Sequence, residues 1–295
     1  MKFYVSKVHD KLNGKPFHPE LVTSNICLNP IYTTKILKNK HIKILLDSGA
    51  FQDVRSRQRL TFAKALQRQL DFEEKVGFTS EMIVSYDRLV DEKYDKQVGQ
   101  IKKRVSYKTA EKYVEETIEA AKFLVDQRKE LKPRKLLLSN QGITVNQYVR
   151  CIKEVLRFSE KEDVIGFGGF CIIGLKPKYE PQYYAVLKET LPLIKKKGIK
   201  RIHIFGVGKF RPLVKTHLLC KRYGIEPSYD TSSYEVNSVM GSMFNPYTFL
   251  PEDKCLSQVF YKNEKYKGYH PADLALFNIR LVNRFWEEID KVRLV

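Results

Sequence analysis

The chain has 295 residues, 43% of them apolar and 29% charged, which excludes a disordered or fibrous protein and allows a sizeable buried core. Lys and Arg number 53 against 34 Asp and Glu, a formal charge of +19 that points to a polyanionic partner, with nucleic acid ahead of an anionic membrane. No run reaches the roughly 20 apolar residues of a membrane span, and neither a basic amphipathic helix nor an apolar leader core stands out.

Short apolar, β-branched runs predict buried parallel strands at residues 2–6, 21–27, 42–47, 82–87, 135–140, 163–168, 201–206 and 226–230. Between most of them, 3.6-residue periodicity predicts helices over 60–76, 107–127, 144–158, 182–197 and 210–223. A closing helix is expected over about 271–291, with Leu274, Phe277, Leu281, Phe285 and Ile289 on one face and Trp286 in the core. Eight strands with crossover helices predict a single-domain (β/α)8 TIM barrel over residues 1–295, with a doubly wound open sheet as the competitor. Cys27, Cys151, Cys171, Cys220 and Cys255 are odd in number and form no close pair, so reduced thiols in a cytoplasmic protein are expected.

The strand ends carry Asp47-Ser48-Gly49, Asp87, Asn140-Gln141-Gly142, Gly168-Gly169, Gly206-Val207-Gly208 and Asp230. In a barrel these positions converge on one mouth. Paired carboxylates suit chemistry at a glycosidic carbon, one attacking or stabilising the carbon and the other moving a proton. A third carboxylate, a Gln and glycine amides suit the edge of a flipped-out guanine, and Phe51 could stack on its ring. Each residue also has a plainer reading. Asp-Ser-Gly is good turn chemistry, Asp230 could cap a helix, and Gln141 could lie on a surface loop. Gly168 and Gly169 could serve close packing alone, and Asp91 competes with Asp87. The Gly206–Gly208 turn could hold a phosphate, as in a barrel enzyme acting on phosphorylated metabolites. His203 and His217 read as structural histidines rather than catalysts.

Asp47-Ser48-Gly49-Ala50-Phe51-Gln52 resembles the Asp-Ser-Gly-Gly-Phe-Gln signature of the tRNA-guanine transglycosylase superfamily. Asn140-Gln141-Gly142 is similar to its Val-Gln-Gly, and Gly168-Gly169-Phe170-Cys171-Ile172-Ile173-Gly174 to its Gly-Gly-Leu-Ala-Val-Gly. His203–Gly208 is similar to its strand before Gly-Val-Gly, and Ser228-Tyr229-Asp230-Thr231 falls where its nucleophile lies. The closing helix resembles its Leu-His-Asn-Leu helix, so the likeness runs in order over about residues 40–290.

The resemblance implies a (β/α)8 barrel and base exchange. Asp230 would attack C1′ of a guanosine, Asp47 would be the general acid/base, and Ser48 would support the site. Asp87, Gln141, Gly168 and Gly169 would read the base, with Phe51 stacked on it. Two departures stand out. Phe277 replaces the zinc-binding His, and Cys255 lacks its Cys partners, so no structural zinc and no other cofactor are expected. Asp87-Arg88-Leu89 also replaces the family's Asp-Glu-Cys. Such divergence and compactness resemble the DNA 7-deazaguanine transglycosylases of phages and bacterial modification clusters. That branch implies DNA and a preQ0-type 7-deazaguanine as substrates, in the cytoplasm of a host if phage-encoded. The alternatives are tRNA, or a non-catalytic nucleic-acid-binding paralogue of the same fold. A homodimer or accessory modification proteins are further expected partners.

Overall fold

The computed structural model describes residues 1–6, 8, 10–31, 41–56, 58–90, 94–95, 100–101, 104–170, 179–239, 244 and 270–291. Eight parallel strands close into a barrel in chain order: β1 (Lys2–Val5), β2 (Asn25–Leu28), β3 (Lys43–Leu46), β4 (Met82–Val84), β5 (Lys135–Asn140), β6 (Val164–Phe167), β7 (Arg201–Ile204) and β8 (Glu226–Thr231). β8 pairs with β1, Asp230 opposite Tyr4, so the open-sheet alternative is excluded.

Alternation along each strand sorts its residues between two cores. Ile26, Leu28, Ile44, Leu46, Ile83, Leu136, Leu138, Ile165, Ile202 and Ile204 face outward to the helices. Tyr4, Cys27, Leu45, Met82, Val84, Leu137 and Val164 fill the interior, with Phe205 packed on them. Gly166 makes room for this filling. A Cβ there would lie 2.5 Å from the Phe205 ring and 2.5 Å from Cδ2 of Leu137.

The helices are α1 (Ala50–Ser56), α2 (Phe62–Val76), α3 (Tyr107–Asp126), α4 (Arg128–Leu131), α5 (Val145–Phe158), α6 (Glu180–Lys197), α7 (Phe210–Tyr223), α8 (Ser233–Val239) and α9 (Pro271–Lys291). Side-chain caps set where several begin. Thr61, Ser106 and Thr144 accept from the backbone N–H groups of Lys64, Thr109 and Gln147, which starts α2, α3 and α5. Gly77, Gly198 and Gly224 end α2, α6 and α7 in the left-handed conformation.

Two expectations are corrected. The second strand begins at Asn25, because Pro19–Leu21 forms a 3-10 turn instead of extending it. The buried side of α9 is rotated from the expected stripe. Leu274 and Leu281 are buried, but Phe277, Phe285 and Ile289 are only half-buried. The helix docks on α8 and β1 through Ala272, Ala275, Asn278, Ile279, Val282 and Trp286. Small Ala side chains permit close approach, and Asn278 is drawn inward because its Oδ1 accepts from the Phe244 amide at 2.8 Å. Among the described residues, no helix is long and apolar enough to cross a membrane.

Candidate active site

The sites form where strands run out of apolar residues at the C-terminal mouth. Asn29 after Cys27, Asp47 after Leu45 and Asp230 after Ser228 each continue the inward alternation of a strand. Asp87 breaks that rule. From Val84, alternation would turn Tyr86 inward. Instead Tyr86 packs outward with Ala50 and Ala65 and donates its hydroxyl to Oδ2 of Asp53 at 2.7 Å. This slip in phase leaves Asp87 buried against Gln141, whose Nε2 donates to Oδ2 of Asp87.

Asp47 is held on both oxygens. Asn29 Nδ2 donates to Oδ2 at 2.7 Å, and the Ser48 amide donates to Oδ1 at 2.8 Å. Burial, followed by the charge of Asp230, still raises its pKa from 3.8 to about 6. Burial and then the charge of Asp47 raise Asp87 to about 7. The thiol of Cys27, on the interior just beneath, is pushed up by burial and by the charges of Asp230 and Asp47. Asp230 therefore lies near Asp47, and Asp47 near Asp87, with Asp87 buried and the other two half-buried.

Asp230 receives the Gly206 amide on Oδ1 at 2.8 Å, with Gly206 at φ +64°. Nε2 of His203 lies 3.2 Å from the same oxygen. The Gly206 amide is therefore engaged by a carboxylate, which removes it from the phosphate-holding reading of the Gly206–Gly208 turn. His203 is fully buried, and its Nδ1 lies 3.0 Å from Oγ of Ser228. A carboxylate only accepts, so Nε2 carries the hydrogen of its bond to Asp230, while Oγ of Ser228 donates to the Ile202 carbonyl at 3.0 Å.

The side of the mouth around Gln141 is tightly built. Gln141 is fully buried, and its Oε1 has no hydrogen-bond partner among the described residues. Gly168 lies against it, where a Cβ would approach Cγ of Gln141 to 3.1 Å. The Gly168 carbonyl accepts from the Tyr148 hydroxyl at 2.6 Å, and the Gly169 carbonyl from Arg104 Nη2 at 3.3 Å. Ser48 is buried, and its carbonyl accepts from Arg68, which also bridges both oxygens of Asp53. Phe51 is half-buried in the first turn of α1.

The structure thus gathers Asp47, Ser48, Asp87, Gln141, Gly168, Gly169 and Asp230 at one mouth. Sequence reasoning did not single out Asn29, and it read His203 as a structural histidine; the structure sets both beside site carboxylates. The in-phase position after Cys27 could have flagged Asn29, and the place of His203 two strand positions before Phe205 could have flagged its inward face. His217 is remote, near Asp290. His270 bonds the Asn13 carbonyl through Nε2 at 2.9 Å. Asp91, Cys255 and the motif residues 171–174 lie outside the described residues.

No protein-family model matches the chain, and no curated protein matches it. Among solved structures, it is similar to the carboxyl transferase domain of Rhizobium etli pyruvate carboxylase with pyruvate, at a TM-score of 0.32 and 10% identity over 98% of this chain and 47% of that one. A variant of Rhizobium etli pyruvate carboxylase with the allosteric activator acetyl coenzyme-A gives a TM-score of 0.29 and 11% identity over 84% of this chain and 21% of that one. The chain spans about half the length of the first and about a fifth of the second. At these TM-scores neither likeness bears on the chemistry of this chain.

Proposed function

We propose that this chain is a guanine transglycosylase that exchanges guanine in nucleic acid for a 7-deazaguanine base. The observation that carries the reading is the meeting of Asp47, Asp87 and Asp230 at one mouth of the barrel, with Gln141 bonded to Asp87. Carboxylates with different environments take different roles.

Asp230 attacks C1′ of the flipped nucleotide, forming a glycosyl ester as the bond to guanine breaks. Asp47 delivers its proton to the departing ring nitrogen. With a pKa of about 6, it is placed to lose and regain a proton near neutrality. The incoming base gives its ring N–H proton to Asp47, and its nitrogen displaces Asp230 from C1′. Ionised Asp87 accepts from N1–H and the 2-amino group. The second hydrogen of Gln141 Nε2 and the Gly169 amide donate to O6, with Gly168, whose own amide is bonded to the Asn140 carbonyl, close beside them, and Phe51 stacks on the ring. His203 and the Gly206 amide hold Oδ1 of Asp230, leaving Oδ2 for attack.

DNA is placed before tRNA because the chain departs from the tRNA enzymes at Phe277 and after Asp87. The charge of +19 suits either polyanion and predicts binding that weakens steeply with salt. The test is release of labelled guanine from DNA and from tRNA in parallel, each with preQ0 and each beside Asp230→Ala. Release from DNA alone, lost in the variant, supports the full reading. Release from tRNA alone overturns the substrate and keeps the chemistry. Release from neither, with binding intact, favours the non-catalytic paralogue.

A further inference from the structure

The opposite end of the barrel has an unusual lining. Layers inside such a barrel take one side chain from each of four alternate strands, and branched apolar residues dominate them. Here the first inward positions of the odd strands are Lys2 on β1, Lys43 on β3, Lys135 on β5 and Arg201 on β7. The register fixes their side of the sheet: Lys135 pairs with Met82 and Arg201 with Val164, both interior residues. Four cations in one layer repel one another. Lys135 feels this, since burial, Arg201, Lys2 and Lys43 together lower its pKa despite Glu81.

Two carboxylates sit among them. Glu81 accepts from Arg201 Nη1 at 3.0 Å and from the Tyr4 hydroxyl at 3.3 Å. Glu226, paired in register with Arg201, is exposed at the rim. Positive charge remains in excess, and Nη2 of Arg201 is buried with no hydrogen-bond partner among the described residues. Beside it opens a cavity of about 490 Å³, lined in part by Lys2, Tyr4, Arg201, Lys221, Glu226 and Ser228. Asp290, also on its wall, lies 3.3 Å from Nε2 of His217 and accepts from the Met1 amine. The apolar filling around Tyr4, Leu45, Met82, Leu137 and Val164 separates this end from the carboxylate mouth.

We propose that this cavity at the N-terminal end of the barrel binds a small phosphate-bearing anion, held by Lys2, Lys221 and Nη2 of Arg201. A guanidinium N–H with two flanking ammonium groups suits a phosphate group. The cavity exceeds the needs of the bare ion and falls in the range of small-molecule sites, which favours a phosphomonoester. The inference does not depend on the transglycosylase reading.

The test is calorimetric titration of the full chain with inorganic phosphate and with a nucleoside 5′-monophosphate, against chloride at matched ionic strength. One saturable site is expected for the monoester, with weaker binding of inorganic phosphate. Asp230→Asn should retain it, and Lys2→Gln and Lys221→Gln should each weaken it about tenfold. Unchanged melting temperatures would establish that the lysine variants fold. No saturable binding, binding indifferent to both lysines, or binding lost in Asp230→Asn overturns the proposal. So does an effect of the lysine variants on oligonucleotide binding alone, which would make this end a nucleic-acid surface.

Discussion

His203 Nε2 lies 3.2 Å from Oδ1 of Asp230, and the two side chains reach the barrel interior from neighbouring strands. With the Gly206 amide on the same oxygen, the carboxylate is fixed in rotation. His203→Gln keeps a donor of similar reach, whereas His203→Ala removes it. We expect kcat for base exchange to fall about tenfold in the Ala variant, with KM little changed and partial recovery in the Gln variant. Ser228→Ala should show a smaller loss in the same direction. Steady-state kinetics on the three variants decide this, and an effect on KM alone would remove His203 from the positioning role.

The two shifted carboxylates set the pH profile. In the proposed reaction Asp47 must be protonated to expel guanine, and its pKa is raised to about 6, while Asp87 must be ionised to read the base, and its pKa is raised to about 7. A bell-shaped profile of kcat/KM is expected, with limbs near those values that belong to the group of carboxylates as a whole. Asp87→Asn should lower kcat/KM and flatten the acid limb. A wild-type profile flat from pH 5 to 8 speaks against both assignments.

Stability carries the same signature. Folding raises Asp87 from 3.8 to about 7, so the folded chain takes up a proton between these values. The stability this contributes is fully present below pH 3.8 and is lost as pH rises through about 7. Asp87→Asn is neutral throughout. It should raise Tm at pH 8 by about 3 °C or more, with the gap closing towards pH 4. An equal gap at both ends of the range would mean that packing, not charge burial, separates the two proteins.

Gly166→Ala tests the filled interior. Its Cβ would meet Phe205 and Leu137 at 2.5 Å, inside any normal contact. A loss of about 2 kcal/mol is expected, read by urea unfolding, from the overpacking. Unchanged stability would show that the Phe205 ring has another place to go.

All eight strands were legible, most of them as short apolar runs stopped by a polar or glycine residue. Leu45 before Asp47 and Phe167 before Gly168 show the pattern. Helix boundaries followed where a local cap exists, as at Thr61 and Thr144. Helices α1 and α8 are too short to display a period, so they were not foreseen. The face of α9 was misjudged because Asn278 is buried by a bond to Phe244, a partner that helical periodicity does not reveal. Within the site, the strand-end carboxylates could be picked from one dimension. The turn of Tyr86 towards Asp53 and the grip of His203 and Asn29 on their carboxylates come from chain-distant partners. Residue spacing carries no trace of such contacts.

The pairing of Tyr4 with Asp230 across the seam gives the barrel an order of completion. During synthesis, residues 2–5 emerge long before residues 226–231, and such a distant pairing is slow to form. Until that pairing forms, the mouth lacks Asp230, the proposed attacking group. Only closure of the ring brings the oxygen that would bond to sugar into the mouth. The last seam to zip would thus act as a safeguard, arming the reaction only in a finished molecule.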